Sequence, residues 1–242
     1  MKNLTLFWAP LLSLCLVIGC AGDDPTGTDD PDENEESPKV GTTYDYDSYE
    51  LSSTGLQGST ILVHDRLSVT STTETYRGLS NVTTVVNVAD FRIGYYHYGD
   101  PAALKLYLPS VSMPFSVAAP VGWITYPLSG GTIHETIADT TYIGVSGGEE
   151  TFHAEMTTTY EGTEEKTVKG EPYLCSRITQ RLEMTNIEED GTGMSQINES
   201  TMWYSAELGT FVQTDSYSRL GSLTNPAFYF GQRIKLVDFE LK

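Results

Sequence analysis

The chain is short of cysteine, of cations and of histidine, and it has no long amphipathic helical stripe. Its three cysteines fall at 15, 20 and 175. Two lie in the N-terminal apolar segment, so Cys175 stands alone in the rest and no intrachain disulfide is expected. A lone thiol of this kind reads as a buried small hydrophobe. Fourteen Lys and Arg face 33 Asp and Glu, a formal charge of −19. Such a surface repels phosphate backbones and argues against nucleic acid as a partner. The four histidines, His64, His97, His134 and His153, sit on separate segments without ligand spacing, so no metal site is expected. His153-Ala154-Glu155 matches the H-x-E of zinc deaminases, but no C-x-x-C completes it. No cofactor fingerprint is present, and none is expected.

What is present begins with the first twenty residues. Lys2 precedes Leu4 to Ile18, an apolar run without a charge, too short and too poorly flanked for a permanent spanning helix. It reads as an export signal. Residues 21–39, AGDDPTGTDDPDENEESPK, hold Pro, Gly and eight acidic side chains but nothing that builds a core, so they read as a disordered tether. A flexible coil of that length spans on the order of 25 Å. Asp30, Asp32 and Asn34 start an EF-hand-like spacing that fails at Glu35 and Gly41. The remainder, 40–242, suits one β-rich domain.

Val17-Ile18-Gly19-Cys20 resembles the lipobox of bacterial lipoproteins. That resemblance implies a mature chain beginning at a lipidated Cys20, held to the membrane by several acyl chains without a spanning segment. Ala21 stands where an Asp would be the inner-membrane retention signal of enteric lipoproteins, so an outer-membrane location in the cell envelope is implied. The acidic residues after Cys20 also resemble the surface-export signal of some bacteria, which leaves the periplasmic or surface face open.

Within 40–242 the pattern is strand after strand. Tyr44 and Tyr46 alternate with Asp45 and Asp47. Ile61, Val63, Leu67 and Val69 share one side, with His64, Arg66 and Ser68 on the other. Asn81 to Val88 follows, and then Phe91 to Tyr98 faces Leu104 to Leu108 across a turn-rich connection. Pro109 to Pro127, with four prolines around Trp123, reads as a long loop or an edge segment. Alternation resumes at Phe152 to Tyr160, Leu174 to Met184, Met194 to Tyr204, Thr210 to Leu220 and Phe228 to Leu241. The expectation is an all-β fold with little helix, an antiparallel meander curled into a half-barrel or open barrel behind a disordered tether.

Chemistry is thinner. Gly144-Val145-Ser146-Gly147-Gly148 has the form G-x-S-x-G, yet an alternating strand follows where a nucleophile elbow needs a helix. No catalytic residue is assigned. Acidic residues are plentiful enough that a carboxylate pair acting on polysaccharide, or an ester hydrolase, stays open as the alternative function. The better candidates are aromatic. Tyr95, Tyr96 and Tyr98, with Trp123, place rings on both faces of the sheet, one face for packing and one able to stack on a ligand.

Trp203-Tyr204-Ser205-Ala206-Glu207-Leu208-Gly209-Thr210-Phe211-Val212, the final strand ending Val237-Asp238-Phe239-Glu240-Leu241, and Gly170 to Ile178 resemble a pattern in uncharacterised bacterial lipoproteins with a LolA/LolB-type half-barrel. This chain has Ala206-Glu207 where such proteins carry Pro-Gly, and Val212 where a basic residue is common. The motif reads as a structural corner, with Trp203 and Tyr204 ending one strand and Gly209 supplying a backbone angle that other residues resist. The resemblance implies an envelope lipoprotein, non-enzymatic, that binds an apolar or glycan ligand or a partner protein on a sheet face. A purely structural module is the third possibility.

Overall fold

The computed structural model describes residues 38–89, 91–111, 118–144 and 147–242. The expected signal, Cys20 and the expected tether up to residue 37 lie outside the described residues, as does Ser146 of the G-x-S-x-G sequence. Among the described residues there is no helix, and twelve antiparallel strands form one sheet. They are β1 (Thr43–Leu51), β2 (Gln57–Tyr76), β3 (Leu79–Asn87), β4 (Ile93–Asp100), β5 (Ala103–Val111), β6 (Ala119–Pro127), β7 (Thr132–Ile143), β8 (Glu149–Val168), β9 (Glu171–Glu188), β10 (Gly193–Ser205), β11 (Thr210–Ser222) and β12 (Asn225–Glu240).

The order across the sheet is β6-β5-β4-β3-β2-β1-β12-β11-β10-β9-β8-β7. The first and last strands therefore pair at the centre, from Thr43 opposite Glu240 to Glu50 opposite Gln232. The two edges, β6 and β7, are consecutive in sequence and meet across an unsealed seam, which makes the fold a nearly closed barrel. Pro120 and Pro127 suit β6 to an edge, since proline brings no N–H to a ladder. Two hairpins turn on residue pairs with positive φ, Arg77-Gly78 (48° and 87°) and Lys169-Gly170 (54° and 88°), the geometry that matches strand twist.

The interior is filled by the chain's own side chains. Tyr44, Tyr46, Val69, Val85 and Leu236 pack with Trp203, Leu208, Val212 and Cys175 in one cluster. A second cluster joins Leu104, Ile124 and Tyr126 of β5 and β6 to Met156, Ile178, Met202 and Tyr204 of β8 to β10. Packing across the seam thus takes the place of a ladder. Val111, Ala119, Phe152, Ala154 and Met184 form the third.

In the middle of the chain the edge alternative of the sequence reading holds for β6. Of the stretch expected as loop or edge, Ala119–Pro127 is a regular edge strand, paired from Leu104 opposite Tyr126 to Val111 opposite Ala119. The chain also packs earlier than the expected boundary at residue 40, because Pro38 is buried.

Candidate functional site

Strand alternation divides the four aromatics that the sequence singles out. Tyr96 and Tyr98 turn into the barrel, where both join the central cluster. Burial pushes the Tyr96 hydroxyl up to about 12 and the Tyr98 hydroxyl well above its ordinary value. Tyr98 Oη donates to the Gly209 carbonyl at 2.9 Å. Both rings are half-buried and face this inner cluster.

Tyr95 and Trp123 belong to a different group. Tyr95 stacks on Tyr76 with centroids 3.8 Å apart. Tyr107 meets Tyr76 edge-on at 5.0 Å and Trp123 at 5.5 Å. All four rings are half-buried. They come from β2, β4, β5 and β6, so the cluster forms because the β2–β3 hairpin tip leans over the neighbouring strands. Trp123 Nε1 donates to the Arg77 carbonyl at 3.3 Å, which pins that tip, and the Arg77 guanidinium lies 5.8 Å from the Tyr76 centroid. Sequence reading found Tyr95 and Trp123 and missed Tyr76 and Tyr107. The available signal was Tyr76 directly before the Arg77-Gly78 turn.

The corner is the most heavily constrained part of the molecule. Trp203 is 7% exposed; its Nε1 donates to Glu164 Oε2 at 2.9 Å, and Lys166 Nζ sits 3.9 Å from its ring centroid. Glu164 and Lys166 reach it because the β8–β9 hairpin runs beyond the end of β10, past a register shift between Tyr160 and Gly162. Tyr204 is buried and meets Phe211 edge-on at 5.5 Å. Gly209 has φ +62°, and a Cβ there would lie 2.8 Å from Pro38 Cδ. Three tyrosine hydroxyls close the corner from inside. Tyr44 donates to the Leu208 carbonyl at 2.6 Å, Tyr46 to the Phe211 carbonyl at 2.9 Å, and Tyr98 to that of Gly209.

Polar chemistry on the outer face is local. Arg66 holds Asp45 through two hydrogen bonds of 2.8 and 2.9 Å, and His64 Nδ1 lies 2.7 Å from Asp47 Oδ1. The hydrogen bond to Asp47 holds the exposed His64 imidazole above its ordinary value. A shallow cleft of about 400 Å³ crosses β8 to β11, lined by Thr157, Thr159, Thr179, Arg181, Glu199, Thr201 and Tyr217 among others. Among the described residues no group of three or more His, Cys, Asp or Glu could hold a metal ion. Gly147 closes a turn at φ +84°, its N–H donating to the Gly144 carbonyl at 3.0 Å.

Fold and surfaces together define an all-β, nearly closed barrel with three packed core clusters and a buried polar group of Gln196, Asn198 and Ser218. No family model matches the sequence, and no curated protein matches it. Among solved structures, a hypothetical lipoprotein, YmcC from Escherichia coli (K12), is similar at 10% identity and a TM-score of 0.34, over 82% of this chain and 84% of that one. A likeness that low carries nothing over to this chain.

Proposed function

We propose that the protein is a lipid-anchored, non-enzymatic module of the bacterial envelope, tethered at Cys20 to the outer membrane, which presents a binding surface on the outside of its barrel. The observation that supports a binding role is the cluster of Tyr76, Tyr95, Tyr107 and Trp123, four half-buried rings on one outer face. Aromatic rings with one side packed and one side wet suit a ligand with a flat apolar face, a glycan ring or the apolar side chains of a partner protein. The filled interior directs the reading outward.

Two experiments test it. Cys20→Ala is expected to leave the protein unprocessed or soluble without detergent; a variant still cleaved and still extracted only by detergent overturns the anchor. Binding is followed by tryptophan emission, since Trp203 is buried and Trp123 is the partly exposed reporter. Envelope polysaccharide fragments and detergent-solubilised envelope proteins are titrated into the full chain. A shift in emission that Trp123→Phe removes supports the aromatic face, and emission unmoved by every fraction overturns it.

A further inference from the structure

We infer that the cleft across β8 to β11 is a second binding site, built for a neutral saccharide. Its floor is set by register. Thr132 of β7 pairs with Thr159 of β8, Thr159 with Thr179 of β9, and Thr179 with Thr201 of β10. Cross-strand neighbours lie about 4.7–4.9 Å apart, so four hydroxyls form a rank across four strands; Thr132 and Thr159 bond each other at 3.1 Å and Thr179 donates to Glu161 Oε1 at 3.0 Å, which leaves the Thr179 oxygen to accept from a ligand.

The next rank places Arg181 opposite Glu199 and Glu199 opposite Tyr217. Arg181 Nη1 reaches Glu199 Oε1 at 2.5 Å, Arg181 also bonds Glu183, and Arg219 Nη2 reaches Glu199 Oε2 at 3.3 Å. Both guanidinium groups are thus taken up by carboxylates, and Glu161 adds a third carboxylate as an acceptor beside Thr179, on a chain whose net charge is −19. An anion would find the guanidinium already engaged, and a cation would find the carboxylate shared between two arginines. A neutral polyol meets fixed donors and acceptors on both sides.

Tyr217 supplies the remaining element. It is half-buried at the cleft wall, and the β1–β2 loop passes over its hydroxyl, with a Cβ at Gly55 falling 3.3 Å away. A ring at the side of a hydroxyl-rich floor is what the C–H face of a sugar stacks against. The volume of about 400 Å³ lies within the roughly 300–1,000 Å³ of small-molecule sites. None of these residues belongs to the aromatic cluster around Trp123, so the two readings stand or fall separately.

The test uses the full chain in detergent micelles with its threonine methyls labelled. The titrants are short neutral oligomers of glucose and of N-acetylglucosamine, with a uronic acid oligomer as the charged control. The expected result is that a neutral oligomer moves the methyl signals of Thr159, Thr179 and Thr201. Thr179→Val, which removes a hydroxyl and keeps the shape, should weaken binding about fivefold, the scale of one hydrogen bond. Tyr217→Ala should weaken it by about tenfold or more, a large share of what a stacked ring contributes. Trp123→Ala should leave it unchanged. Threonine methyls that no neutral oligomer moves would overturn the inference, as would equal affinity for the uronic oligomer. Binding lost with Trp123→Ala and kept in Thr179→Val would overturn it too, while supporting the aromatic face.

Discussion

Replacing Trp203 by alanine tests the corner most directly, because the structure allows its cost to be built up from parts. The indole is 7% exposed and packs with Cys175, Val168 and Leu208. Deleting a buried aromatic down to alanine costs about 3–5 kcal/mol through lost transfer energy and the cavity left behind. Lys166 over the ring adds roughly 0.5–1 kcal/mol. The Nε1 bond to Glu164 adds little, since that carboxylate is 42% exposed and water can replace the donor. The expected loss is about 4 kcal/mol, a large share of the roughly 5–15 kcal/mol that holds a domain folded.

For a domain of about 200 residues each kcal/mol shifts Tm by ~2–4 °C, so Trp203→Ala should melt roughly 8–16 °C lower. Thermal and urea unfolding of the full chain measure this. Trp203→Phe keeps a six-membered ring and should cost about 1–2 kcal/mol, mostly through the smaller buried volume. The Glu164 carboxyl offers an independent readout. It is held below its ordinary value by hydrogen bonds from Lys166 first and Trp203 second, so in Trp203→Ala its titration should move upward. A Trp203→Ala protein that melts within about 2 °C of wild type would refute the packing argument and move the binding surface to this corner.

Three further outcomes are expected. Gly209→Val should destabilise through the backbone, because φ is +62° and the new Cβ would meet Pro38; limited proteolysis should then cut near residue 40 sooner than in wild type, and equal resistance would contradict it. Cys175, with no exposed surface and its thiol pushed up to about 11 by burial, should resist maleimide at pH 8, and labelling as fast as that of a free thiol would show the hairpin cover to be open. His64 should titrate above the usual histidine value. The Asp47 bond favours its charged form, so the stabilisation is fully present below the unfolded value near 6.5 and is lost as pH rises through the raised folded one. Asp47→Asn should lower the NMR midpoint, and an unmoved midpoint would refute the pairing.

Much of the fold is legible in local alternation. Phe152, Ala154 and Met156 alternate with outward residues in the sequence and are buried in the structure, because the side-chain period of a strand is fixed at two. β7 was not legible. The register shift falls at Ile137, between Thr136 and Ala138, so that Ala138 packs on the core where period two from Ile133 would turn it outward, and such a bulge breaks the period that pattern reading depends on. β6 was legible only as one of two alternatives, a loop or an edge, because proline counts against a central strand and does not separate those two. The closing pair of β1 with β12 joins residues nearly 200 apart in the chain, and no local pattern encodes it.

The same limit explains which surface chemistry was missed. Tyr95 and Trp123 stand out as single residues, but Tyr76 and Tyr107 matter only once strand order brings four strands under one hairpin tip. The threonine rank depends on three ladders in register. A slip of one residue in any of them would turn one strand's hydroxyls into the core. Register is held by the interior, where Met156, Ile178 and Met202 sit on alternate positions of the same strands. The tyrosine hydroxyls of Tyr44, Tyr46 and Tyr98 act in the same direction, since each satisfies a corner carbonyl that burial would otherwise leave unpaired. On the outer face, register converts an alternating sequence into ordered ranks of rings and hydroxyls.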